Sequence, residues 1–211
     1  MESELHRQQM ELLINALEPW LGQRRNSTGT GGYIGGNMFV YFSLEQVRNK
    51  DFCGPDVFIV LDAEPKIRKS WVVWEEGKGP DVVIELLSES TQGLDKTAKK
   101  EVYQNQLRVP EYYWFDPDNP DDFAGFELCN GTYKELQFDE KGRLTSLRLD
   151  GLRLGRWQGR CHGNQTTWLR WYTAEGALLP TAEERAEQEA QRALALEQKL
   201  RALGIDPDEA A

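Results

Sequence analysis

Between Gly79 and Thr91 the chain reads GPDVVIELLSEST, and one carboxylate, Glu85, interrupts an otherwise apolar run of β-formers. A carboxylate in the middle of a buried strand carries a large desolvation cost unless it is paired, protonated or bound to a cation. A plainer reading puts Glu85 at a strand end or edge, facing water. The tetrapeptide GPDV occurs twice, here and at Gly54–Val57 in GPDVFIVLD, so Asp56 and Asp81 compete for a place beside Glu85. Strand side chains alternate, which sends Asp81, Val83, Glu85 and Leu87 to one face, but four residues of strand span about 13 Å. Asp81 is therefore too far along the strand to share an ion with Glu85. It follows Gly-Pro at the strand entrance, where turn chemistry alone accounts for an Asp. Asp56 opens its own strand. If the two strands are neighbours, Asp56 and Glu85 converge on one divalent cation, and hard carboxylate oxygens suit Mg²⁺ or Mn²⁺.

A third group follows directly in STQGLDKTAKKEVYQ. Asp95, Lys99 and Tyr103 are spaced four apart and line one helical face. Taken alone they are an exposed Asp–Lys pair beside a half-buried Tyr. Their helix comes straight after the Glu85 strand, however, and can aim an ammonium back at the same place. Two carboxylates and a lysine are the groups of metal-assisted phosphodiester hydrolysis: the ion activates water, and the ammonium offsets charge developing on phosphate.

The elements that must position these groups can be read from pattern. Leu5, Leu12, Leu13, Ala16, Leu17 and Trp20 recur at helical spacing over 4–21, and Pro19 predicts that this helix stops by Gly22. NSTGTGGYIGG (26–36) predicts a loop and lacks the Lys-Ser/Thr of a phosphate-cradling one. Strands are expected at 38–43, 57–61, 71–74, 82–87 and 112–116, with a helix over about 94–107 ended by Val109-Pro110. Beyond Pro117, alternating segments punctuated by Asn130-Gly131 and Lys141-Gly142 predict antiparallel hairpins. Thr181-Ala-Glu-Glu184 is a capping box opening a helix of about 23 residues that runs toward Gly204. Ala186, Ala190, Ala193, Leu196, Leu200 and Leu203 form its narrow seam, which can pack on its own domain or pair with a second copy as a homodimer. The expected division is a domain over 1–179 and a charged helical extension over 180–211.

Composition narrows the classes. The 211 residues carry 7 Trp, 7 Tyr and 8 Phe, enough for one well-packed core. No basic leader and no run of eighteen apolar residues predicts secretion or membrane spanning. Cys53, Cys129 and Cys161 are odd in number and widely separated, which argues against a disulfide framework and fits the cytoplasm. The formal charge is −10, with −4 of it in residues 181–211, so any contact with nucleic acid must rest on local cations or metal ions. Lys66, Arg68 and Lys69 in EPKIRKSW are the most basic short stretch and can reach a phosphate backbone. His6 and His162 lack a second His at ligand spacing and receive no role. Glu4 and Glu11 read as solvated helix charges.

The run PDVFIVLD, then WEEGKGPDVVIELLSEST, D-x-x-x-K-x-x-x-Y and VPEYYWFDP closely resembles the Uma-type family of restriction endonucleases within the PD-(D/E)XK nuclease superfamily. The strong part of the match runs from about Asn37 to Pro117, and the charged tail resembles an extension common in that family. The resemblance implies an α/β fold: a restriction-endonuclease-like mixed central sheet flanked by helices, with extra antiparallel hairpins and a C-terminal helix. It implies that Pro55-Asp56 supplies the first motif and Glu85 the acid of the second. The superfamily's usual lysine would fall at 87, where this chain has Leu87; the family pattern offers Lys99 instead. An acidic residue of the first helix often completes such sites, with Glu4 and Glu11 available. The implied activity is a Mg²⁺- or Mn²⁺-dependent endonuclease acting on DNA, with Asp56 and Glu85 on the metal, Lys99 at the transition state, and Tyr103 and Asp95 in support, Tyr103 by holding Lys99. Two other readings fit the same chain: a catalytically inactive nuclease-fold protein that binds nucleic acid or protein, favoured by Leu87 and the net charge, and a phosphoesterase acting on RNA or a small phosphodiester.

Overall fold

The computed structural model describes residues 3–29, 31–43, 52–88, 93 and 95–203, and the chain divides into two compact units, 1–179 and 180–211. In the first unit a long helix, α1 (Glu4–Thr28), precedes five strands: β1 (Gly32–Gly36), β2 (Val40–Tyr41), β3 (Phe52–Cys53), β4 (Val57–Leu61) and β5 (Trp71–Val72). A single turn, α2 (Val73–Glu76), leads to β6 (Val82–Leu86). A π-helical turn (Asp95–Lys99) then runs into α3 (Lys100–Asn105) and β7 (Glu111–Phe115). The remaining strands are β8 (Phe123–Cys129), β9 (Thr132–Glu135), β10 (Arg143–Thr145), β11 (Arg153–Cys161) and β12 (Asn164–Tyr172).

The main sheet has six strands in the order β1-β4-β6-β7-β8-β9, mixed because β6 and β7 run parallel while the other neighbours are antiparallel. One face carries Val57, Ile59, Val82, Ile84, Tyr113 and Phe115 against Leu13 and Leu17 of α1 and against Leu154, Leu169 and Trp171 of the antiparallel β10-β11-β12 sheet. The opposite face carries Phe58, Val60, Val83 and Tyr112 under Tyr103 of α3, Val109 and Trp71. Because β4 and β6 are buried on both faces, β4 reads as an unbroken apolar run and β6 as one broken only by Glu85, and a charge there has no route to water along the strand.

Three expectations need correction. Helix α1 does not stop at Gly22 but continues through Pro19 to Thr28, ended by Gly29 at φ 78°. Leu21 is buried in the core, and Arg24 bonds Asp62 and Asp150, so tertiary contacts hold the turns beyond the proline. The Gly-rich stretch is not all loop, since Gly32–Gly36 form β1 and pair with β4 over five residues. Glycine is required there by close approach: a Cβ on Gly35 would lie 2.5 Å from the Phe58 ring. Residues 71–74 are strand only to Val72, and 38–43 only at Val40–Tyr41, both in a small three-stranded sheet with β3. The Asn130-Gly131 turn does close the β8–β9 hairpin, with both residues at positive φ.

In the second unit α4 (Ala182–Ala202) begins at the expected capping box. The Glu184 amide donates to the Thr181 hydroxyl at 3.2 Å, and the Thr181 amide donates to the Glu184 carboxylate at 2.8 Å. Gly204 lies outside the described residues. No described helix is long and apolar enough to cross a membrane.

The contrast between two glycines gives a test. Gly35→Ala drives a methyl into Phe58 and should lower stability by about 1–3 kcal/mol. Gly22→Ala, in a helix with open space around its Cβ position, should raise stability by about 0.5–1 kcal/mol. Urea denaturation midpoints should move in opposite directions for the two variants.

Candidate active site

The register of β4 against β6 pairs Val57 with Ile84, which sets Asp56 opposite Glu85. Residues directly opposite in an antiparallel pair point to the same face. Asp56 is fixed further by its own side chain, because Oδ2 accepts the Leu86 amide at 2.7 Å, one residue beyond Glu85. The two carboxylates thus meet on the face covered by the π turn and α3.

Glu85 is fully buried, and both of its oxygens are engaged. The Tyr103 hydroxyl donates to Oε1 at 2.6 Å, and the Lys99 ammonium donates to Oε2 at 3.0 Å. Lys99 also lies 2.8 Å from Oδ1 of buried Asp95, so one ammonium bridges two carboxylates. The backbone under Asp95 is anchored from the sheet, since the Tyr112 hydroxyl donates to its carbonyl at 2.9 Å. Tyr103 therefore bonds Glu85 rather than Lys99, the group that the nuclease resemblance gave it to hold. One turn beyond the lysine, its ring packs beside Tyr112, and its hydroxyl reaches the carboxylate directly.

Electrostatics follow from this packing. Burial pushes the Glu85 carboxyl well above its ordinary value; Lys99 and the Tyr103 hydrogen bond oppose the shift, while Asp56 and Asp95 add to it. Burial alone would lower Lys99, but the Glu85 and Asp95 carboxylates overrule it and hold the ammonium above its ordinary value. Asp56, Glu85 and Asp95 against Lys99 leave a formal charge of −2. A divalent cation beside Asp56 and Glu85 fits that excess and that set of hard oxygen donors. Among the described residues no three His, Cys, Asp or Glu side chains form a metal-holding group, so such an ion would complete its shell with water, as Mg²⁺ commonly does.

Leu87 is fully buried and supplies no charge; the cation that meets Glu85 comes from the π turn instead. Asp81 is held elsewhere, taking the Leu61 amide, Lys78 and Arg148, each at 2.8 Å. Glu4 bonds Gln8 and Glu11 pairs with Arg7, so neither joins the cluster. The basic stretch is largely spent internally. Arg68 is clamped by Glu76 at 2.8 and 2.9 Å and lies over the rings of Tyr33 and Trp71, Lys66 reaches the same carboxylate at 3.2 Å, and Arg68 first, with Lys66, pulls Glu76 down to about 2. Only Lys69 of the three remains exposed with no such clamp among the described contacts.

Two residues near the site escaped pattern reading. Cys53, three positions before Asp56, is buried beside the Tyr103 hydroxyl, and burial pushes its thiol up to about 12. His6 is buried and sits 2.5 Å from the Leu87 carbonyl, with its other ring nitrogen 2.7 Å from the Ser3 hydroxyl. It fastens the start of α1 to the backbone just past Glu85.

The family model Uma2, described as "Putative restriction endonuclease", matches residues 1–157. The chain belongs to the Uma2 family. The match takes in the whole six-stranded sheet of this Uma2 chain, with the cluster around Glu85, and stops within β11. The mixed sheet, the hairpins and the terminal helix make a restriction-endonuclease-like fold, and PD-(D/E)XK is the wider superfamily of the Uma2 proteins. No curated protein matches the chain.

The raised proton affinity of Glu85 has a sign that can be checked in chelator-treated protein. Its unfolded carboxyl titrates near 4.5 and its folded carboxyl well above, so the stability it contributes is full below 4.5 and is lost as pH rises through the folded value. Relative to Glu85→Gln, the wild type should lose up to about 1.4 kcal/mol per pH unit in that window. The measurement is the difference in unfolding free energy between the two proteins from pH 4 to pH 8; a flat difference contradicts the assignment.

Proposed function

We propose that this Uma2 chain is a divalent-metal-dependent endonuclease that hydrolyses phosphodiester bonds in DNA, with residues 1–179 as the nuclease domain and 180–211 as a charged helical extension. The observation that carries the reading is the placement of Asp56 opposite Glu85 with Lys99 bonded to Glu85 on the same sheet face. Membership of a family described as restriction endonucleases supports the reaction class.

In this reading Asp56 and Glu85 are the metal ligands. A bound Mg²⁺ or Mn²⁺ would supply Lewis acidity to the phosphate and lower the pKa of a coordinated water. The protein's own groups do the rest. Asp56 is aimed by the Leu86 amide, and Glu85 is aimed by the Tyr103 hydroxyl, so both carboxylates arrive with their rotamers set. Lys99 stays protonated at neutral pH and serves as a fixed positive charge rather than as a base. It stabilises the negative charge that grows on the phosphoryl oxygens as the P–O bond to water forms and the bond to the leaving ester oxygen breaks. Asp95 holds Lys99 from the opposite side and fixes its direction.

Supercoiled plasmid incubated with Mg²⁺ or Mn²⁺ should be converted to nicked or linear form by the wild type and remain intact with chelator. Asp56→Asn, Glu85→Gln and Lys99→Ala should each lose at least about 100-fold in rate. Single-stranded DNA and RNA run alongside establish the substrate class. Equal residual cleavage by all four proteins would sink the site. Intact plasmid that is nonetheless retained by the wild type would replace the enzyme with a nucleic-acid-binding module.

A further inference from the structure

Within its own unit, helix α4 carries an apolar seam that no other described element covers. None of its residues is buried, and Leu196 and Leu203 of the seam are 60 and 75 % exposed. Most helices in proteins draw their stability from tertiary packing, which a leucine-bearing seam left in solvent forgoes. The seam Ala186, Ala190, Ala193, Leu196 and Leu200 is also graded, with small residues in the first half and large ones in the second.

Charge is graded the same way. Residues 183–189 hold Glu183, Glu184, Glu187 and Glu189 against Arg185, a net of −3, whereas residues 190–203 hold Arg192, Lys199 and Arg201 against Glu197, a net of +2. The helix dipole accounts for acids in the first turn and bases in the last, but its influence fades within a turn and does not reach Glu187, Glu189 or Arg192. It says nothing about the exposed leucines.

We infer that α4 is an antiparallel homodimerisation element whose occupant is α4 of a second copy. Only that direction sets the acidic half on the basic half and the alanine half on the leucine half. With Ala193 on the two-fold axis, Ala190 packs under Leu196 of the second copy and Ala186 under Leu200. Along the flanks Arg201 meets Glu183 and Glu187 of the second copy, and Lys199 meets Glu189. A parallel pair would stack acid on acid, with like charges opposed, and leave the alanine half thinly packed. The pairing is isologous and therefore closes as a two-fold dimer. It would bring two catalytic units to one duplex, a consequence that rests on the nuclease reading, although the interface does not.

The test uses the full chain with Cys129 and Cys161 changed to Ser, so that the introduced thiol is the accessible one. Ala193→Cys should form a disulfide-linked dimer on mild oxidation. Ala186→Cys should not, because in the antiparallel pair its two copies are separated by about 21 Å. Sedimentation of the wild type should show a dimer at tens of micromolar, and Leu196→Glu with Leu200→Glu should weaken it at least tenfold while leaving the circular dichroism of the β-rich unit unchanged. Crosslinking of both cysteine variants means a parallel pair, and crosslinking of neither with a monomeric wild type means no pair; either result overturns the inference. None of these measurements depends on plasmid cleavage, so loss of the nuclease reading and loss of the dimer are separately visible.

Discussion

The buried Glu85 carboxylate is the constraint around which this face of the sheet is built. A charge at the centre of a strand covered on both sides has no water to solvate it, so its neighbours must do so, and each of them comes from a different element. Tyr103 from α3 and Lys99 from the π turn each occupy one oxygen, while Asp56 arrives from the start of β4 through register alone. Three carboxylates around one ammonium is a poor arrangement for stability. It is a good one for receiving a divalent cation, and the cost is offset by the apolar packing of the opposite face against α1 and the β10-β11-β12 sheet.

The π turn matters for the same reason. It opens on Asp95, whose carbonyl is pinned by Tyr112, and ends on Lys99, so that both side chains face the sheet and the lysine is held between two acids. Here the ammonium is delivered from the covering helix instead of from the strand that bears the acid. Leu87, the strand position that would otherwise carry it, is buried, and its carbonyl anchors α1 through His6. A strand end in this chain thus serves packing, and the electrostatic duty falls one element later.

Much of this was legible in the residues themselves. The rise along the strand separated Glu85 from Asp81, and the duplicated GPDV resolved in favour of its first copy once β4 and β6 proved to be antiparallel neighbours. Four-residue spacing put Asp95, Lys99 and Tyr103 on one face, and that survives the local π geometry. What pattern could not show was set by tertiary contact. Helix α1 outlasts Pro19 because Leu21 and Arg24 have partners far along the chain, and Gly32–Gly36 become a strand because Phe58 needs a neighbour without a side chain. Cys53 and His6 were opaque for a related reason: a lone thiol or imidazole carries no periodic signal, and its meaning comes from what lies across the core.

If Asp56 and Glu85 form one cation site, direct binding reveals it before any substrate is added. Calorimetric titration of the chelator-treated protein with Mn²⁺ should show one ion per chain, lost in Asp56→Asn and in Glu85→Gln and retained in Glu11→Gln, whose carboxylate pairs with Arg7 on the surface of α1. Undiminished binding in either of the first two variants would contradict a shared site.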